Sequence, residues 1–84
     1  MHFYYEPKGV CSRAIDIDID ETTGVIRQVQ FTGGCNGNLQ GISALVKGMK
    51  PEDAINRLKG IRCGFKPTSC PDQLAHALEE MIAK

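Results

Sequence analysis

The sequence predicts an α+β fold, a small antiparallel sheet of two or three strands followed by three helices packed on one face. Three observations carry this. Residues 14–20 alternate apolar and acidic, the period of a strand with one wet face. After Phe31 the apolar spacing changes to that of a helix, and two later segments open with proline followed by acidic residues. All strand signals precede all helix signals.

In Ala14-Ile15-Asp16-Ile17-Asp18-Ile19-Asp20, the isoleucines face the core and the carboxylates face solvent. A calcium loop needs an irregular, glycine-turned spacing, so these aspartates receive no chemistry. Glu21-Thr22-Thr23-Gly24 reads as a turn, and residues 25–32 as a second strand that pairs back as a hairpin. His2-Phe3-Tyr4-Tyr5 is aromatic enough for a third strand, although Pro7 and Gly9 separate it from the hairpin.

Gly33-Gly34-Cys35-Asn36-Gly37-Asn38 is a polar turn followed by Leu39, Ile42, Leu45, Val46 and Met49 at helical spacing. Asn36 or Asn38 is placed to cap this helix and Gly48 to end it. A shorter helix starts at Pro51, with Glu52 and Asp53 in its first turn, Ala54, Ile55 and Leu58 as its stripe, and Gly60 as terminator. The last helix follows Pro71, with Cys70 as its N-cap, Asp72 in the first turn, and Leu74, Leu78, Met81 and Ile82 on one face.

The 84 residues make one domain, 1–84, without repeats or linkers. A domain this small buries only about 60% of its unfolded surface, so an added cross-link or metal would matter to its stability. Ten basic and ten acidic residues give no net charge, which excludes the basic footprint of a nucleic-acid binder. No stretch has the length of a membrane span and the first residues do not read as a secretory signal, so a cytoplasmic protein without a membrane partner is expected.

That compartment decides how Cys11, Cys35, Cys63 and Cys70 are read. Reducing cytosol disfavours structural disulfides and leaves metal binding or thiol chemistry, or buried inert thiols. Cys35 and Cys70 stand at the starts of predicted helices, where unpaired backbone N–H groups favour a thiolate. Cys11 opens one strand of the hairpin and Cys35 closes the other, while the loop after Cys63 can bring it towards Cys70. If the two pairs converge they make the all-thiolate site that zinc favours, and an iron–sulfur cluster takes the same ligands. The spacing contains no C-x-x-C knuckle.

His76 lies roughly opposite Leu74 and Leu78 on the helical wheel and reads as a surface histidine without a partner. His2 carries no signal. The glycines from Gly33 to Gly41 invite a phosphate-cradle, nucleotide-binding reading, but lack the lysine and serine/threonine ending of a Walker loop. Close backbone approach around Cys35 explains them more simply.

The run Thr68-Ser69-Cys70-Pro71-Asp72-Gln73-Leu74-Ala75 resembles the TSCPD family, as do Gly9-Val10-Cys11-Ser12, Phe31 to Leu39, and Leu58-Lys59-Gly60-Ile61-Arg62-Cys63. The likeness covers nearly the whole chain. TSCPD domains occur as small stand-alone proteins and as the C-terminal segment of cobalamin-dependent ribonucleotide reductases. The resemblance therefore implies a link to ribonucleoside-diphosphate reduction and DNA precursor synthesis, with a ribonucleotide reductase-like protein as partner. The reaction itself needs a radical generator and a large shielding barrel, so an accessory role suits 84 residues better than catalysis alone. A weaker likeness is to iron–sulfur scaffold proteins, which also place one cysteine at a strand end before a helix and another before the final helix. The expectation is a metal-binding module with zinc or an iron–sulfur cluster on Cys11, Cys35, Cys63 and Cys70. A thiol-disulfide relay or a sulfur-transfer scaffold is the alternative, and self-association is open.

Overall fold

The computed structural model describes residues 1–10, 12–34, 36–62 and 64–83, with Asn36 described by its backbone only. Three strands, β1 (His2–Tyr5), β2 (Ser12–Ile19) and β3 (Ile26–Gly33), precede three helices, α1 (Asn36–Val46), α2 (Pro51–Leu58) and α3 (Cys70–Ala83). The sheet is antiparallel in the order β1-β2-β3, and the fold is the expected α+β arrangement.

The register follows from the alternation in β2. Tyr5, Ile15 and Phe31 form one cross-strand row and Phe3, Ile17 and Val29 the next, so the aromatic and aliphatic residues share a face. The opposite face carries His2, Asp16, Asp18, Gln28 and Gln30. There Arg27 donates to Asp18 Oδ2 from Nε and Nη2, at 3.0 and 2.8 Å. The hairpin turn is closed by Asp20, whose Oδ1 accepts from the backbone N–H groups of Thr22 and Thr23, while Gly24 adopts φ +77°.

The helices cover the apolar face. Ile15, Ile17, Ile19, Ile26 and Val29 of the sheet pack with Val46 of α1, Ala54 of α2, and Leu74, Ala77, Leu78 and Met81 of α3 in one core cluster. The α1–α2 connection is pinned to the edge of β3, since Ile26 N–H donates to Met49 O and Gly48 N–H donates to Ile26 O. Pro51 opens α2 as expected, and Gly60 follows its end at φ +90°.

Three expectations need correction. Cys70 is the first residue of α3 rather than its cap: Ser69 caps the helix, with its Oγ accepting from Asp72 N–H at 3.2 Å and its carbonyl accepting from Gln73 N–H at 2.8 Å. Leu45 is 77% exposed, because Leu39, Ile42 and Val46 set the inner face of α1 and Leu45 lies about 100° round the helix from Val46. Ile82, in the final turn of α3, is also exposed.

Candidate functional site

The N-terminal end of α3 carries a dense polar network. Asp72, only 4% exposed, accepts from Gly60 N–H at Oδ1 (2.7 Å) and from Thr68 Oγ1 at Oδ2 (2.5 Å). His76 Nε2 lies 3.2 Å from the same Oδ2. Burial opposes ionisation of Asp72, yet the bonds from Thr68 and Gly60 and the adjacent His76 outweigh it and hold the carboxyl below its ordinary range. The buried Gln73 extends the network, donating from Nε2 to Thr68 Oγ1 and accepting from Lys8 N–H at 3.0 Å. The segment after β1 is thereby fastened to the start of α3.

His76 is not the partnerless surface residue its wheel position suggests. It bridges Asp72 and Glu79, with Nδ1 3.5 Å from Glu79 Oε1, because residues three and four apart share one side of a helix.

Cys70 heads α3, half-buried, with its Sγ 3.3 Å from Ser12 Oγ. Ser12 is buried for a specific reason. The register places Ser12 against Gly33 and Ala14 against Thr32, which makes Arg13 an extra residue in β2. Strict alternation back from Ile15 would set Ser12 on the outer face; the bulge turns it inward. Gly34, at φ +83°, lies over it so closely that a Cβ would stand 3.2 Å from Ser12 N, 3.3 Å from Ser12 Cα and 2.8 Å from Leu39 Cδ1. Close approach, the simpler reading of the glycines after β3, therefore accounts for Gly34. Gly33 borders an open groove of about 280 Å³ between β3 and α1, lined also by Val29, Phe31, Leu39 and Ser43 and, among the described residues, by no lysine or arginine.

The expected ligands Cys11, Cys35 and Cys63 lie outside the described residues, and only Cys70 can be placed. Among the described residues no group of three or more histidine, cysteine, aspartate or glutamate side chains is set to hold a metal ion. What can be described is the bonding next to each cysteine in sequence. Ser12, after Cys11, pairs with Gly33 and packs under Gly34, which precedes Cys35. Ser12 also meets Cys70, and Ser69 donates from Oγ to the carbonyl of Ile61, two residues before Cys63, at 2.6 Å.

Nothing in the local sequence marks Ser12, Thr68 or Gln73 as site residues. Asp72 alone carries a signal, since it follows Ser69 at capping-box spacing.

No helix among the described residues is long and apolar enough to cross a membrane. Comparison with curated proteins and with solved structures finds no match. The family model of the TSCPD domain matches residues 4–82, nearly the whole chain, and the bonded run Thr68 to Asp72 spells that family's signature. The chain belongs to the TSCPD domain family.

Proposed function

We propose that this TSCPD domain is a cysteine-rich metal-binding module in which Cys11, Cys35, Cys63 and Cys70 hold zinc or an iron–sulfur cluster, acting as an accessory to ribonucleotide reduction. The observation that carries the reading is the convergence of the segments flanking the cysteines: Ser12 against Gly33, Gly34 and Cys70, and Ser69 against Ile61. The donor chemistry fits, since four thiolates satisfy either group without help from carboxylate or imidazole. Zinc would supply a cross-link to a small core, and a cluster would supply one-electron transfer.

The chain's own contribution is orientation. Ser69 caps α3 and so fixes where Cys70 starts, Asp72 ties that start to the α2–α3 loop, and Gln73 ties it to the segment after β1. The link to ribonucleotide reduction rests on family membership, and the partner it implies is a ribonucleotide reductase-like protein. The cytoplasm is the compartment in which four such thiols stay reduced for this work.

Elemental analysis and a visible spectrum, on protein purified without oxygen and without an affinity-tag metal, test the reading. One equivalent of zinc per chain, or iron with a sulfide-to-iron band, is expected, with the metal lost in each single Cys→Ser variant. Absence of metal together with four freely titrating thiols would sink it. The relay reading then takes over, favoured by the half-buried position of Cys70 at the start of α3, which leaves its sulfur within reach of a second thiol or a small oxidant.

A further inference from the structure

We propose that the outer edge of β3 pairs with the same edge of a second copy of this chain, antiparallel about a twofold axis through Gln30, joining two three-stranded sheets into one.

β3 ends the sheet, whose order is β1-β2-β3. The bonding at the opposite edge fixes which of its backbone groups face out. Met1 and Ile19 exchange both of their hydrogen bonds, at 2.9 and 2.8 Å, so the backbone of Ile19 faces β1. Successive residues of a strand alternate, which turns Asp18, Asp16 and Ala14 towards β3 and their partners Gln28, Gln30 and Thr32 back towards β2. Val29 and Phe31, between them, aim their N–H and C=O groups out of the edge. Among the described residues no backbone group bonds to them there, and the connection of α1 to α2 closes the edge only at Ile26.

This edge is unguarded. Exposed edge strands are commonly kept short or protected by charge or proline. β1 has four residues, and Pro7 follows it closely. β3 carries neither charge nor proline from Gln28 to Gly33. Beside it runs the open groove of Val29, Phe31, Leu39 and Ser43, and Phe31 is only half-buried. What fits such an edge is an uncharged extended segment with an apolar residue at every second position, turned towards the groove.

β3 is itself such a segment, and it meets its own copy without conflict. Centred on Gln30, the pairing sets Val29 opposite Phe31, Gln28 opposite Thr32 and Arg27 opposite Gly33. Val29 and Phe31 then exchange bonds, twice over by symmetry, and their side chains meet on the groove side while the Gln30 amides meet on the outer face. No like charges are opposed. A register moved towards Ile26 would run into Met49, and one moved towards Gly33 would leave part of the edge unpaired. Self-matching twofold contacts are the commonest way in which soluble chains associate.

Sedimentation equilibrium of the full-length protein from micromolar to millimolar concentration, with amide exchange followed by NMR over the same range, tests this. A dimer is expected, and the Val29 and Phe31 amides should exchange at least about tenfold more slowly at the high concentration than at the low. The Tyr4 amide, which faces out of the β1 edge, should keep one rate. Two double variants, shown folded by circular dichroism, test the register at positions exposed to solvent. Gln28→Lys/Thr32→Lys opposes like charges at both ends of the pairing and should dissociate about tenfold more readily than Gln28→Lys/Thr32→Glu, which opposes unlike ones. A chain monomeric throughout, a dimer in which Val29 and Phe31 exchange independently of concentration, or two folded variants that dissociate alike would each overturn the proposal. Should either variant fail to fold, the exchange of the wild-type amides decides.

Discussion

Two single residues set the start of α3 and the approach of β3 to β2. Ser69 satisfies one of the N–H groups a helix start leaves open and in addition donates to Ile61 O, so its hydroxyl serves two segments. Ser69→Ala should lower the free energy of unfolding by about 1–2 kcal/mol, at the upper end for an N-cap because the Ile61 carbonyl also loses its donor. Urea unfolding followed by far-ultraviolet circular dichroism checks this, and a change below the precision of the method would show that the cap is dispensable. Gly34 poses a steric rather than a polar problem. Its φ of +83° disfavours any side chain, and a Cβ would press on the Ser12 backbone, which cannot swing aside as the end of Leu39 can. Gly34→Ala is expected to cost about 1–3 kcal/mol, from the left-handed conformation and from displacement of Ser12. A thermal melt unchanged from wild type would contradict that geometry.

Between elements, one core cluster joins the helices to the sheet. Leu74, Ala77 and Leu78 of α3 are fully buried in the cluster that also holds Ile15 and Ile17 of β2, whereas Leu45 of α1 stands in solvent. Leu78→Ala should therefore cost about 2–5 kcal/mol, and Leu45→Gln should stay within about 0.5 kcal/mol of wild type. Equal losses at the two positions, measured by denaturant unfolding, would mean that the inner faces of the helices are assigned wrongly. This contrast also marks what the sequence makes legible. The hairpin can be read from residues 14–20 because a two-residue period with one wet face has few alternatives, and α3 from its proline and its leucine spacing. Leu45 could not be placed, since hydrophobicity alone does not say which of two adjacent apolar residues turns inward. The cap of α3 is hidden for a related reason: Ser69 and Cys70 are adjacent, and the bond that makes Ser69 the cap depends on where the backbone turns. The polar network lay further out of reach. Asp72 meets Gly60 and Gln73 meets Lys8 across 12 and 65 residues of chain, and no local pattern encodes such partners.

Across the whole molecule, the shifted groups predict how stability varies with pH. Asp72 and Asp18 are both held below the ordinary aspartate range, Asp72 against its burial by Thr68, Gly60 and His76, and Asp18 chiefly by its hydrogen bond from Arg27. A carboxyl whose pKa is lower folded than unfolded stabilises the fold above the unfolded value, about 3.9, and loses that contribution as pH falls through the folded value. The opposite arm comes from Tyr5, raised by burial and by Glu80 and Asp72, and from Lys59, raised by its bond to Glu79. Their contribution is present below about pH 10 and is lost as pH rises beyond it. Stability from these groups should therefore be level between about pH 5 and 9 and fall on both sides. The acid arm separates the two aspartates. The pair of Asp18 with Arg27 is exposed to solvent and screened by salt, so it adds little and that little vanishes at high ionic strength. Asp72 is buried, and its bonds persist in salt. Asp72→Asn should be less stable than wild type at neutral pH, with the gap narrowing as pH drops below the unfolded value of about 3.9 and closing as it falls through the lower folded value, where the wild-type carboxyl also becomes neutral. Thermal unfolding from pH 2.5 to 7, at low and at 0.5 M salt as two buffer conditions, measures the gap directly. Parallel curves for the two proteins would mean that Asp72 is not the group whose protonation loosens the junction of α3 with Gly60 and Thr68. A gap that closes with acid, and is indifferent to salt, would place the acid-sensitive joint of this fold at the same residues that start α3 and set the position of Cys70.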